Sequence, residues 1–215
     1  MAFSDYKNIE QVQQESGIKY REESFIRPRA VEPTPAFQAE FEFNREHTHI
    51  FSSDASRANL VITPILREVY KEFHTRYSFW IQKSITYNEK LTGAPDYIIA
   101  TRSALGKTVL EFPLVIVVEA KKNDFEQGWG QCLAELVAAQ KLNGESGKRV
   151  YGIVTDGELW KFGLLVNDTF ISNTEGYTVG DLAELFGALH SIFMLIVEES
   201  HHPFSSNQIP SFTNR

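Results

Sequence analysis

The segment "VIVVEAKKND", Val115 to Asp124, begins as an apolar run and ends in an acid and two bases. Along a strand, side chains alternate between faces, so Val115, Val117, Glu119 and Lys121 are expected on one face and Ile116, Val118, Ala120 and Lys122 on the other. Upstream, "PDYIIATR" opens a second strand with Asp96 at its start. If the two strands are neighbours, Asp96 and Glu119 meet on one face with Lys121 beside them. Two carboxylates that close repel one another and suit a hard, oxygen-seeking cation such as Mg²⁺, with Mn²⁺ as a substitute. Such an ion activates water and stabilises charge on a phosphoryl oxygen, and a nearby ammonium orients that water. The trio therefore suits phosphodiester hydrolysis. The opposing reading is a solvated strand end carrying a weak ion pair. "EAK" alone does not decide between them, because "DYK" at Asp5 to Lys7 matches the same acid-x-Lys pattern.

The elements that must position these residues read as follows. "SSDASRANLVITPILREVYKEF" has helical apolar spacing, with Ser53 or Asp54 as cap and Pro64 marking a kink or a second helix capped by Thr63. "SFWIQKSITY", "PDYIIATR" and "PLVIVVEAK" read as strands and suggest a meander. Asn123 and Glu126 form a capping-box-like start to a helix whose stripe is Trp129, Cys132, Leu133, Leu136, Val137 and Gln140. Gly128 and Gly130 inside it point to close approach of the sheet or a substrate, or to a later helix start. "RVYGIVTD" and "LWKFGLL" form a hairpin at Asp156-Gly157, and "DLAELFGALHSIFMLIVEE" is a buried helix. The order implies an α/β (α+β) fold, a mixed five-stranded sheet flanked by helices.

At 215 residues the chain accommodates one domain over 51–200, an N-terminal arm over 1–50 that wraps it, and a polar tail over 201–215. Prolines at 28, 33 and 35 and the alternation "FQAEFEF" mark the arm. No apolar run approaches the roughly 20 residues needed to cross a bilayer, and no secretory pattern opens the chain, so a cytoplasmic location is expected. Cys132 is the one cysteine, which excludes an internal disulfide and a cysteine-based zinc cluster. The net charge of −7 opposes indiscriminate binding to a polyanion, so nucleic acid must be met by a local patch or by basic surfaces of other chains. There is neither a Gly-x-Ser-x-Gly elbow nor a Walker P-loop. The histidines of "HTH" at 47–49 read as loop residues, and Trp160 and Phe162 as core, with base stacking as their functional alternative.

With "PD" at Pro95 and Asp96 and "EAK" at Glu119 to Lys121, the sequence resembles the PD-(D/E)XK nuclease superfamily. The resemblance spans roughly residues 53 to 165. Within it, "SRANLVITPIL", "GAPDYII", "VVEAKK", "QCLAE" and "VYGIVTDGELWKF" look like the nuclease domain near the start of type I restriction-enzyme motor subunits. The resemblance implies a restriction-endonuclease-like fold and metal-dependent cleavage of nucleic acid, DNA first. It implies that Asp96, Glu119 and the main-chain carbonyl of Ala120 bind the metal and that Lys121 acts on the attacking water. Gln131 matches the glutamine that many members carry on the following helix. Some relatives follow that glutamine four places later with tyrosine, where this chain has Glu135. Asp54 and Glu68 are candidates for an extra acid from the first helix. A nuclease-fold module without catalysis, a homodimer, and a subunit of a restriction or defence complex stay open as alternatives.

Overall fold

The computed structural model describes residues 2–121 and 124–201. After a 3-10 turn at Phe3–Asp5, the order is α1 (Ile9–Ser16), β1 (Lys19–Glu23), α2 (Pro35–His47), α3 (Asp54–Arg57), a π-helical stretch (Ala58–Ile62), α4 (Thr63–Phe73), β2 (Tyr77–Ile81), β3 (Ile85–Thr86), β4 (Thr92–Gly93), β5 (Tyr97–Arg102), β6 (Leu110–Ala120), α5 (Phe125–Asn143), β7 (Val150–Thr155), β8 (Leu159–Val166), β9 (Thr169–Thr178) and α6 (Leu182–His201). The fold is mixed α/β, a large mixed sheet with helices on both faces. Its order is β1-β9-β8-β7-β6-β5-β2, and β3 and β4 form a separate ribbon. β6 and β7 run parallel at the centre, β1 runs parallel to β9, and the remaining neighbours are antiparallel.

Seven strands replace the expected five. The two additions, "KYREE" and "TFISNTEGYT", carry little apolar signal. β2, β5 and β6 form the expected meander, and β7 and β8 the expected hairpin. Gly157 adopts a left-handed φ of 90° in the hairpin turn, and Asp156 Oδ1 accepts from the N–H groups of Glu158 and Leu159. "SFWIQKSITY" is not one strand: β2 stops at Ile81, and Gln82, at a φ of 48°, makes one more main-chain bond and turns the chain out of the sheet.

The apolar strands divide two cores. Tyr97, Ile99, Ile116, Val118, Tyr151, Ile153, Trp160 and Phe162 face α2, α4 and α6. Ile98, Ala100, Leu114, Val117, Val150, Val154 and Leu165 face α5 and the first eighteen residues. Ile116, Val117 and Val118 are almost wholly buried, each burial stabilising by about 1.5–3 kcal/mol, so the segment that ends in Glu119 is pinned from both faces. Val115, expected on the face of Glu119, lies instead with Ile116 in the opposite core. The pairing shows why: Ile99 faces Ile116 and Ala100 faces Leu114, leaving Val115 as the extra residue of a bulge.

The first fifty residues are built into this architecture. β1 extends the sheet, and α1 rests on α5 where Gly130 leaves room, since a Cβ there would lie 2.5 Å from Asn8 N. "FQAEFEF" belongs to a helix despite its alternation. Thr34 Oγ1 caps it by accepting from Phe37 N, Pro35 occupies the first turn, and Phe37 and Phe41, one turn apart, stack in the core. The chain through Pro64 continues from α3 into α4 by way of the π stretch. Thr63, expected as a cap, bonds the Tyr97 hydroxyl at 3.0 Å. The α5 cap is Asp124, whose side chain accepts from Gln127 N. The expected cap Asn123, the base Lys122 and residues 202–215 of the tail lie outside the described residues. Among the described residues no helix is long and apolar enough to cross a membrane.

Candidate active site

Asp96 stands one residue before β5, and the pairing of Tyr97 with Val118 brings it alongside the end of β6. Its Oδ2 accepts the Ala120 N–H at 2.9 Å. What the structure displays of Ala120 is thus its N–H, held by the first carboxylate. Gln82 braces Asp96 from the other side: its N–H donates to the Asp96 carbonyl at 2.9 Å and its side chain hydrogen-bonds the carboxylate. Gln82 does so from a left-handed backbone that disfavours a residue with a Cβ.

Glu119 faces α5 and is 2% exposed. Its Oε1 lies 3.2 Å from Lys121 Nζ, while its Oε2 is buried with no donor beside it, the Glu135 carboxyl being a hydrogen-bonding neighbour only when one of the two holds a proton. The Lys121 N–H is fixed by the Thr155 carbonyl at 2.9 Å. Gly128 is placed where its absent side chain matters: a Cβ would come within 2.7 Å of Val154 Cγ1 and 3.3 Å of Lys121 Cγ. That glycine lets α5 lie down on the sheet while the Lys121 stem passes between them.

From α5, Glu135 completes the cluster. It is fully buried, and Gln131 Nε2 donates to its Oε1 at 3.2 Å. Glu135 Oε2 and Gln131 Oε1, like Glu119 Oε2, have no donor. Burial, and then the charge of Asp96, push the Glu119 carboxyl up to about 8, although Lys121 opposes the shift. Burial, followed by the charge of Glu119, holds Glu135 well above the usual carboxylate range. Burial raises Asp96 as well, against the pull of the Ala120 N–H, Lys121 and Gln82. Among the described residues, three carboxyl groups thus share one ammonium in low-dielectric surroundings. They must either hold protons or accept another positive charge.

Asp96, Glu119, Lys121 and Gln131 come together at one end of the central strands. Asp54 and Glu68 do not join them. Asp54 is exposed at the start of α3. Glu68 is buried, which alone would raise its pKa, but bonds from Lys71 and Thr34 bring it below the usual value. Trp160 and Phe162 are fully buried, which leaves no face for a stacked base. Glu135 and Gln82 are the residues that sequence reasoning missed. The signal for Glu135 was present: an acid one turn after Gln131, inside the apolar run "CLAELVAA". Nothing local marks Gln82. Among the described residues no group of three or more His, Cys, Asp or Glu side chains is arranged to hold a metal ion. No protein-family model matches this chain, and no curated protein matches it.

Proposed function

We propose that this chain is a divalent-metal-dependent nuclease of the PD-(D/E)XK type, with a restriction-endonuclease-like fold, that hydrolyses phosphodiester bonds in nucleic acid, DNA being the expected substrate. The observation that carries this reading is the buried surplus of carboxyl groups at the end of β6, where Glu119 Oε2 has no donor and Lys121 is, among the described residues, the cation beside the acids. Natural folds rarely leave such oxygens orphaned without a use for them. Asp96 and Glu119 suit Mg²⁺ or Mn²⁺, which relieves their repulsion and leaves sites for water. A cation bound there supplies Lewis acidity and lowers the pKa of a coordinated water. The chain's own part is positional. The pinned β6 fixes Glu119, the Ala120 N–H and Gln82 fix Asp96, and Lys121 presents an ammonium that orients water and offsets charge growing on the phosphate.

The competing reading is a nuclease-fold module that binds nucleic acid or a partner protein without cutting. It is favoured by the net charge of −7 and by the Lys121–Glu119 pair, which partly neutralises the site unaided. Plasmid and single-stranded DNA are to be incubated with Mg²⁺ or Mn²⁺ and the wild type, Glu119→Ala or Lys121→Ala. Cleavage by the wild type and loss in both variants is the expected result. Equal cleavage by all three removes this site from consideration. No cleavage, together with no Mn²⁺-dependent thermal shift, selects the binding module.

A further inference from the structure

Arg57 is a cation with a fixed position and, among the described residues, no acid paired with it. It closes α3, and its Nη1 donates to the Asp156 carbonyl at 2.8 Å. Its guanidinium carbon lies 5.2 Å above the Phe51 ring, and Gly157 packs 3.6 Å from its Cβ. Among the described residues it forms no ion pair, its Nε is buried without a partner, and its Nη2 makes no hydrogen bond. A half-buried arginine in a chain with 28 acidic residues would ordinarily find a carboxylate.

Its location gives the absence meaning. Thr155 is the register partner of Ala120 and its carbonyl binds the Lys121 N–H; Asp156 follows it. Arg57 is therefore anchored one residue beyond the strand position beside the acid cluster, at the same end of the sheet but on the face that packs α4, opposite the face to which Glu119 points. The π stretch that follows adds a residue to the helical turn, so Val61, Ile62 and Ile65 stay buried while Arg57 leaves the apolar face to reach the β7–β8 turn. We infer that Arg57 binds a phosphate of the nucleic-acid backbone flanking the one attacked, where the strand passes over the end of the sheet, using the unengaged edge of its guanidinium. This rests on the reading of the acid cluster as a phosphodiester-cleaving site. A fork of N–H donors held in place by a carbonyl and a ring suits a phosphate better than a mobile lysine does.

The test compares wild type, Arg57→Met and Arg57→Lys as full chains. Binding of fluorescein-labelled single-stranded and duplex DNA is followed by anisotropy with Ca²⁺, across a salt series, and cleavage is measured with Mn²⁺. Arg57→Met is expected to weaken binding about tenfold, to lower the slope of log affinity against log salt by about one, and to raise KM with kcat little changed. Arg57→Lys should restore the salt slope but only part of the affinity. The Mn²⁺-dependent thermal shift should be the same in all three, because a residue that meets substrate leaves the metal site intact. If Arg57→Met proves unstable, Arg57→Lys decides alone: wild-type KM and affinity overturn the assignment. Wild-type affinity, slope and KM in Arg57→Met do so directly, while the nuclease reading survives. DNA binding that depends on Arg57 without any cleavage supports the phosphate contact and removes the nuclease reading. A wild type that neither binds nor cuts DNA overturns both.

Discussion

β7 has a glutamate network at each end, half-buried near its start and buried near its other end, and the two are built on opposite principles. Near its start, Glu199 of α6 accepts from Arg149 Nη1 at 2.6 Å and from the Tyr151 hydroxyl at 3.0 Å. Burial raises the Glu199 pKa, but a guanidinium stands against it, and the network ties α6 to the sheet. Near the other end, Glu119 and Glu135 share Lys121 with Asp96, among the described residues, and two of their oxygens have no donor. Burial alone therefore does not mark a functional acid. The closed network contributes to stability; the open one lowers it and leaves charge to be met by something outside the chain.

The sharpest way to break this contrast is Glu119→Gln, which keeps shape and removes charge. Metal-dependent cleavage should fall by roughly 10³-fold or more, the several kcal/mol that a bound cation contributes to a transition state. The Mn²⁺-dependent thermal shift should vanish with it. Next in size is the pH dependence of stability without metal. The Glu119 pKa is raised on folding, to about 8 from an ordinary 4.5, so the folded state binds the proton more tightly than the unfolded state. Its contribution is full below about 4.5 and is lost as pH rises through about 8, a decline on the order of a few kcal/mol. Denaturant titrations from pH 4.5 to 8.5 should show that decline, its relief by Mn²⁺ at the upper end, and its flattening in Glu119→Gln. At the closed network the order reverses: Arg149→Met should destabilise by about 1 kcal/mol, because it strands a half-buried carboxylate, and should leave cleavage by the folded protein unchanged. A stability loss in Glu119→Gln matching that of Arg149→Met would erase the distinction.

The acid cluster was partly legible because its strand announced itself. "VIVV" needs burial on both faces, and a buried strand that ends in "EAK" after another opening with "PD" places its charges by geometry alone. Glu135 stood out as an acid in an apolar run, but its meeting with Glu119 depends on how closely α5 lies on the sheet, which Gly128 sets. The edge strands were illegible for the converse reason. "KYREE" pairs with β9 across about 150 residues of chain and has no apolar alternation of its own, since an edge strand is guarded by charge. The bulge at Val115 and the Arg57–Asp156 bond are likewise products of distant pairing that no local pattern encodes.

The finest test compares the two non-glycine residues with left-handed backbone among the described residues, Gln82 at φ 48° and Asn167 at φ 52°. Asn167 sits in the β8–β9 turn, where asparagine tolerates that region; Gln82 has no such excuse and touches Asp96 through both main chain and side chain. Replacing Gln82 with glycine removes strain of about 1–2 kcal/mol and adds unfolded-state freedom worth about 0.5–1, so a net gain of about 0.5 kcal/mol is expected. On that gain the melting temperature should rise by about 1–2 °C. The same change strips the Asp96 carboxylate of a hydrogen bond, so Mn²⁺ affinity by calorimetry should fall about three- to tenfold. Stability and metal affinity then move in opposite directions, a signature that a purely structural glutamine cannot produce. Asn167→Gly should move neither by a comparable amount. If Gln82→Gly leaves Mn²⁺ affinity at the wild-type value, the left-handed backbone at Gln82 serves only the path of the chain from β2 into the ribbon.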